Sequence, residues 1–169
     1  MADKYIILGV SFDWGTRKGL DVFVELSKRL DKELYKIVLV GVDRDTVSLP
    51  DSIVTVERTD SREDLAALYS AADVFVNPTR EDNYPTVNME AIACGTPVIT
   101  FDTGGSPETV GNSSGIVVQT DDIDEMQKAI EAVCLQGLFK EEELLYTARS
   151  FDKWKRYGRY LELYDGSQD

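Results

Sequence analysis

The chain has 169 residues, 43% of them apolar and 29% charged, which suits one soluble domain with a sizeable core. Its net charge of −13 excludes proteins that bind a nucleic-acid backbone or dock on anionic lipid, because both need a basic surface. There is no histidine, so Ser-His-Asp and Cys-His catalysis and the usual zinc sites are excluded within this chain.

The N-terminus, MADKYIILGV, lacks a basic region, and its apolar run is too short for a signal peptide. No stretch reaches membrane-spanning length. YIILGVS (Tyr5–Ser11) reads as a buried strand. In the following loop, SFDWGTRKGLD, Arg17 and Lys18 stand just ahead of a helix that starts near Gly19 and carries Leu20, Phe23, Leu26 and Leu30 on one stripe. Two cations beside free helical N–H groups suit an anion such as a diphosphate; a solvated basic pair is the other reading. The loop matches neither a P-loop nor a G-x-G-x-x-G fingerprint.

Lys36–Val42 and Ile53–Glu57 are the next two strands. Ser61 followed by Asp64 resembles a capping box, opening a helix with Leu65, Leu68, Tyr69 and Ala72 on its apolar stripe. Asp73–Asn77 is a fourth strand. After it comes EDNYPTVNMEAIACGTPVITFDTGG, in which Asp82 lies in a loop and Glu90 in a helix that has Pro85 in its first turn, runs to about Ala93 and is ended by Gly95. These two carboxylates can flank a ligand and accept hydrogen bonds from vicinal hydroxyls, while the amides of Thr86, Val87 and Asn88 are free to meet phosphate. The alternative is a solvated loop acid and an exposed helix acid.

Pro97–Phe101 and Gly115–Gln119 complete the strands. Asp122 with Glu125 caps a helix whose inner face is Ile123, Met126, Ile130 and Val133. Cys94 and Cys134 belong to no CxxC pair and read as reduced core thiols of a cytosolic protein. After Gly137 the pattern is purely helical. Trp154, Tyr157, Tyr160, Leu161 and Tyr164 form a broad stripe, interrupted by Gly158 at some cost in helix propensity. That helix either packs on its own sheet or docks on something the chain lacks. Near-continuous apolar strands in β-α-β order predict an α/β fold: a Rossmann-like, doubly wound parallel sheet of about six strands, with helices on both faces and further helices at the C-terminus. Ligands of such sheets bind at the carboxyl ends of the strands.

EDNYPTVNMEAIACGTPVI resembles the E-x7-E signature of family 4 (group 1) glycosyltransferases, retaining enzymes of the GT-B fold. ALYSAADVFVNPT, TGGSPE and RKGLDVFVEL are similar to that family as well, in the same order. The likeness runs from Tyr5 to about Tyr164 but covers only the second half of a family member. It implies that residues 1–169 form one donor-binding domain, with 138–169 a helical tail, and that the N-terminal acceptor domain is absent. An excised domain, a split enzyme with a partner chain, or a nucleotide-binding relic would each explain this, and the abrupt start at the first strand favours the first.

Residue by residue, the resemblance assigns Glu90 to the ribose hydroxyls and Asp82 to hydroxyls of the transferred sugar. Asp82 stands where the family has Glu, one methylene longer, and Glu81 substitutes if the loop shifts by one residue. Lys18 matches the lysine on the diphosphate. The family's arginine precedes that lysine by several residues, where this chain has Asp13 and Trp14, so Arg17 is the replacement. Gly104 and Gly105 match a turn that lets backbone approach the ligand, ahead of a helix capped by Ser106. Asn83, Tyr84, Pro85, Thr86 and Val87 are expected around the substrate, and Arg58 and Thr59 near the base.

The implied reaction moves a sugar from a nucleotide diphosphate donor to an acceptor hydroxyl with its anomeric configuration kept, in polysaccharide or glycolipid assembly. It implies no metal and no cofactor beyond the nucleotide diphosphate sugar as co-substrate. The missing acceptor domain is the expected partner, in cis or as another chain, with no nucleic acid, no membrane insertion and a cytoplasmic location. The domain alone is expected to be inactive. Competing classes are a non-catalytic nucleotide-sugar-binding subunit or sensor and a flavodoxin-like phosphoacceptor domain.

Overall fold

The structure, a computed structural model, describes residues 4–45 and 47–165; the side chains of Tyr160 and Tyr164 and the last residues of the tail, 166–169, lie outside what it describes. Six strands form one sheet: β1 (Tyr5–Val10), β2 (Tyr35–Val40), β3 (Ile53–Val56), β4 (Val74–Asn77), β5 (Val98–Phe101) and β6 (Gly115–Val118). Their order is β3-β2-β1-β4-β5-β6, and every neighbouring pair is parallel. Register runs from Tyr5 opposite Tyr35 to Val10 opposite Val40, and β4 joins the other side of β1 with Ile7 opposite Val74. The order reverses between β1 and β4, which makes the gap between their carboxyl ends the switch point.

Alternate residues of each strand feed two cores. Ile7, Leu39, Ile99 and Phe101 face one side with Phe23 and Leu26 of α1 (Leu20–Arg29) and Met126 and Ile130 of α4 (Ile123–Gln136). Leu8, Val40, Phe75 and Val98 face the other, with Tyr69 of α2 (Arg62–Ser70) and Ala91 and Ile92 of α3 (Thr86–Ala93). Burial on both faces explains the unbroken apolar runs: β4 and β5 are buried at every residue.

The predicted caps form. The Ser61 hydroxyl accepts from the Asp64 N–H at 3.0 Å and the Asp122 carboxylate from the Glu125 N–H at 2.8 Å. β4 and β5 end where predicted; β1, β2, β3 and β6 end one or two residues earlier, and β2 shows why. Gly41 takes φ +85°, a left-handed conformation that turns the chain out of line, and its N–H reaches across to the Val56 carbonyl.

Two expectations need correction. Pro85 is the residue before α3, not inside its first turn. Ser106 caps no α-helix. It sits at φ −58°, ψ −45° ahead of a 3-10 turn (Pro107–Thr109), without a side-chain capping bond, and its buried hydroxyl has no protein partner. An N-cap side chain reaches back to the turn from an extended backbone, which Ser106 does not adopt.

After α4 come α5 (Glu141–Ala148) and α6 (Lys153–Asp165), and α6 runs unbroken through Gly158. Trp154 and Leu161 are 71% and 66% exposed, so the described part of the α6 stripe is not buried on the sheet. Both cysteines are free thiols. Cys134 is buried and pushed up to about 12 by that burial, with the Asp73 charge adding to it, whereas Cys94 is only half-buried.

Candidate functional site

A cavity of about 790 Å³ opens where the carboxyl ends of β1, β2 and β4 meet the loops that follow them. Its size falls in the small-molecule range of roughly 300–1,000 Å³. Of the residues expected around a ligand, Lys18, Arg58, Thr59 and Asp82 line it, as do Tyr84, Pro85, Thr86 and Val87. Arg17, Glu81, Asn83, Glu90, Gly104 and Gly105 do not.

Lys18 ends a 3-10 turn (Thr16–Lys18) fixed from behind by Gly19. At φ +73°, Gly19 lies so close to Pro78 that a Cβ would stand 2.3 Å from the Pro78 carbonyl oxygen. This close approach sets the turn against the loop after β4. Across the cavity wall, Lys18 Nζ donates to Asp82 Oδ2 at 2.7 Å, with the two side chains only 19% and 21% exposed. The residues expected at phosphate and at sugar therefore form one ion pair. An anion that takes Lys18 must compete with Asp82 for it.

Arg17 is corrected. Its guanidinium donates to Asp13 Oδ2 at 2.8 Å on an exposed surface, because consecutive residues of a tight turn point in different directions. The free helical amides expected beside it are also used: the Leu20 N–H bonds the Gly15 carbonyl and the Val22 N–H the Gly19 carbonyl, at 3.2 and 3.1 Å. At α3 the Asn88 N–H bonds the Pro85 carbonyl at 3.3 Å. Thr86 and Val87 thus bring the first turn of α3 to the cavity.

The Asn88 side chain is buried and holds that turn in place. It accepts from Asn77 Nδ2 at 2.8 Å and donates to Thr109 Oγ1 at 2.8 Å, while Thr100 Oγ1 donates to the Asn77 carbonyl at 2.9 Å. This fully bonded network joins β4, β5 and α3 beneath the cavity floor that Asn77 forms.

Glu90 lies on α3, the helix whose first turn borders the cavity. One helical turn past Thr86, it accepts from the buried Tyr69 hydroxyl at 3.1 Å. Burial raises the Tyr69 phenol far above its ordinary range, and the Glu90 carboxylate adds to the effect. Glu90→Ala, by orphaning that hydroxyl, should lower stability by about 1–2 kcal/mol, and Glu90→Gln, which keeps an acceptor, by clearly less. Urea unfolding of both variants would read the difference, and equal losses would show the contact to be immaterial.

Gly104 and Gly105 admit a close backbone approach, here by the protein's own chain. A Cβ on Gly104 would lie 2.0 Å from the Asp82 carbonyl oxygen and one on Gly105 1.8 Å from that of Asn83. The Gly105 N–H donates to the Asp82 carbonyl at 3.1 Å. The glycine turn is a seat for the loop that carries Asp82. Glu81 belongs to the same loop through its backbone: its carbonyl accepts from Thr79 Oγ1 at 3.0 Å.

Several site residues carried no sequence signal that singled them out. Trp14 lines the cavity, anchored by its indole N–H on the Val40 carbonyl at 2.8 Å and by an edge contact with Phe23. Phe12, 98% exposed, stands at the rim, and Asp43 and Glu57 add carboxylates to the wall near Arg58. Among the described residues no cluster of three or more cysteines and carboxylates could hold a metal ion.

A parallel sheet of this order, with helices on both faces and a cleft at its switch point, defines the class of Rossmann-like α/β domains. The family model described as glycosyl transferases group 1 matches residues 4–136, and the chain belongs to that family. It is 34% identical over 133 residues to a D-inositol 3-phosphate glycosyltransferase of Mycobacterium sp. (strain KMS), across 71% of this chain and 30% of the relative. Among solved structures, sucrose-phosphate synthase from Thermosynechococcus elongatus superposes with TM-score 0.80 at 26% identity, over 98% of this chain and 47% of that one. HepE of Anabaena, solved with UDP-glucose, superposes with TM-score 0.79 at 16% identity, over 98% of this chain and 50% of that one. The chain thus spans less than a third of that curated relative and about half of each solved structure.

Proposed function

We propose that this chain is the donor-binding domain of a retaining glycosyltransferase, holding a nucleotide diphosphate sugar for transfer to an acceptor hydroxyl. The observation that carries the reading is Lys18 at the cavity wall, beside the first turn of α3 and within reach of Asp82. In such a transfer, negative charge builds on the departing diphosphate while the sugar becomes oxocarbenium-like. The Lys18 ammonium, once turned to the phosphates, and the Thr86 and Val87 amides in the first turn of α3 would stabilise that charge. Asp82, released as Lys18 turns to phosphate, becomes an acceptor for sugar hydroxyls. Trp14, Arg58 and Thr59 border the region left for the nucleoside.

The net charge of −13 does not oppose this. Repulsion between exposed charges is screened beyond about 8 Å at physiological salt, whereas Lys18 acts in contact. The acceptor half would come from a second domain or a partner chain facing the cavity, with polysaccharide or glycolipid as the product class. No helix of the described residues is long and apolar enough to cross a membrane. The free thiols suit a reducing, cytoplasmic setting.

A thermal-shift panel of UDP-, GDP- and ADP-sugars tests the reading. One base class at about 100 times its Kd should stabilise the fold by about 2.7 kcal/mol, and its nucleoside alone should do much less. A flat panel would overturn the proposal.

A further inference from the structure

Arg80 lies outside the cavity, yet more of the site's backbone converges on it than on Lys18 itself. Its Nη1 and Nη2 meet Asp21 Oδ1 and Oδ2 at 2.9 and 2.8 Å, a two-pronged pair, and its Nε meets Asp121 Oδ1 at 2.7 Å. Nη1 also donates to the Thr16 carbonyl. Its main-chain N–H donates to the Arg17 carbonyl at 2.8 Å, and its carbonyl accepts from Thr103 Oγ1 at 2.9 Å. One residue therefore ties together the loops that follow β1, β4, β5 and β6.

The turn it grips needs such a hold. Thr16–Lys18 is three residues long and has no side-chain cap. Beyond its internal bonds it is held by Gly19 against Pro78, by Arg80 and by the Arg17–Asp13 ion pair. Longer contacts of 3.5 Å run from Thr79 Oγ1 to the Arg17 carbonyl and from Arg17 Nη1 to the Glu81 carbonyl. Lysine is a point charge on a flexible stem, so the position of its ammonium depends on where the turn holds its Cα. Lys18 stands two residues after Thr16, and Asp82 stands two residues after Arg80. Their ion pair is the far end of a seam between the two loops that Arg80 fastens at its near end. Arg80 is not itself an open cation, because two carboxylates already face its guanidinium.

We infer that Arg80 is a positioning residue for diphosphate binding, acting through Lys18 and touching no ligand. This rests on the donor-site reading above. Calorimetric titration with UDP and GDP, and with uridine and guanosine as controls, would compare the wild type, Arg80→Ala, Lys18→Ala and the double variant. Arg80→Ala should weaken the preferred diphosphate about tenfold, in line with losing a supporting partner at a preorganised site, and leave the nucleoside unchanged. In the Lys18→Ala background the same change should have no further effect.

A further loss in that background would mean that Arg80 meets phosphate directly, and parallel losses of nucleoside would mean a general effect on the fold. Either result overturns the inference while leaving the donor site standing. Asp121→Asn, which suits the left-handed backbone of that position (φ +66°), is the milder variant should Arg80→Ala fail to fold. It should show a smaller loss of the same kind, and wild-type affinity there would count against the inference. If the wild type binds neither diphosphate, the donor-site reading itself falls, and this inference with it.

Discussion

Lys18→Ala should weaken nucleoside diphosphate binding by roughly ten- to a hundredfold, the equivalent of losing a charged hydrogen bond worth about 1.5–3 kcal/mol. Nucleoside binding should stay nearly unchanged, because the base and ribose do not depend on the ammonium. Two effects add in this variant: the cation is gone, and Asp82 is left as an unpaired carboxylate facing the phosphates. Asp82→Asn separates them. It should tighten the diphosphate alone, since Lys18 no longer has a competitor, and weaken the diphosphate sugar. Fold stability should fall by about 1–3 kcal/mol in Lys18→Ala, which leaves a part-buried carboxylate unpaired, and by less in Asp82→Asn, which keeps an acceptor. Equal losses of nucleoside and diphosphate in Lys18→Ala would remove Lys18 from the phosphate role.

Gly105→Ala is the second large effect, and it comes from backbone meeting backbone. The added methyl would stand 1.8 Å from the Asn83 carbonyl oxygen and 2.9 Å from its carbon, with no flexible side chain there to give way. One of the two loops must move, which breaks the Gly105 N–H bond to the Asp82 carbonyl and takes Asp82 off Lys18. A destabilisation of about 1–3 kcal/mol is expected, together with a loss of donor affinity comparable to that of Lys18→Ala. Gly111→Ala is the control: the nearest atom a Cβ would meet is Ser114 Oγ at 3.7 Å, an ordinary contact, so stability should stay within about 0.5 kcal/mol. Thermal melts and titrations of both variants would check this. A Gly105→Ala protein as stable and as able to bind as Gly111→Ala would dismiss the idea of a glycine seat.

Local signals were the ones legible in the sequence. The strands read directly because a sheet buried on both faces demands runs such as VFVN and VITF, and the Ser61 and Asp122 caps read because each partner lies three residues on. Lys18 and Asp82 were legible as site candidates from their motifs, while their pairing across 64 residues was not. Glu90 was legible as an acid on the helix whose first turn borders the cavity, whereas its bond with the Tyr69 hydroxyl on a neighbouring helix was not. Arg80 had no local mark at all, because the carboxylates it bridges lie 59 and 41 residues away. The glycine pair was recognised for close approach, but only the folded chain reveals that it seats the Asp82 loop.

A crystal structure with UDP or GDP bound would test the central claim most directly. The expected result is a pyrophosphate in the cavity at the β1–β4 switch point, with Lys18 Nζ swung from Asp82 to a phosphate oxygen at hydrogen-bond distance, about 2.7–3.2 Å, and the first turn of α3 facing it. A nucleotide seated elsewhere, or one in this cavity with Lys18 still on Asp82 and no phosphate in reach, would contradict it.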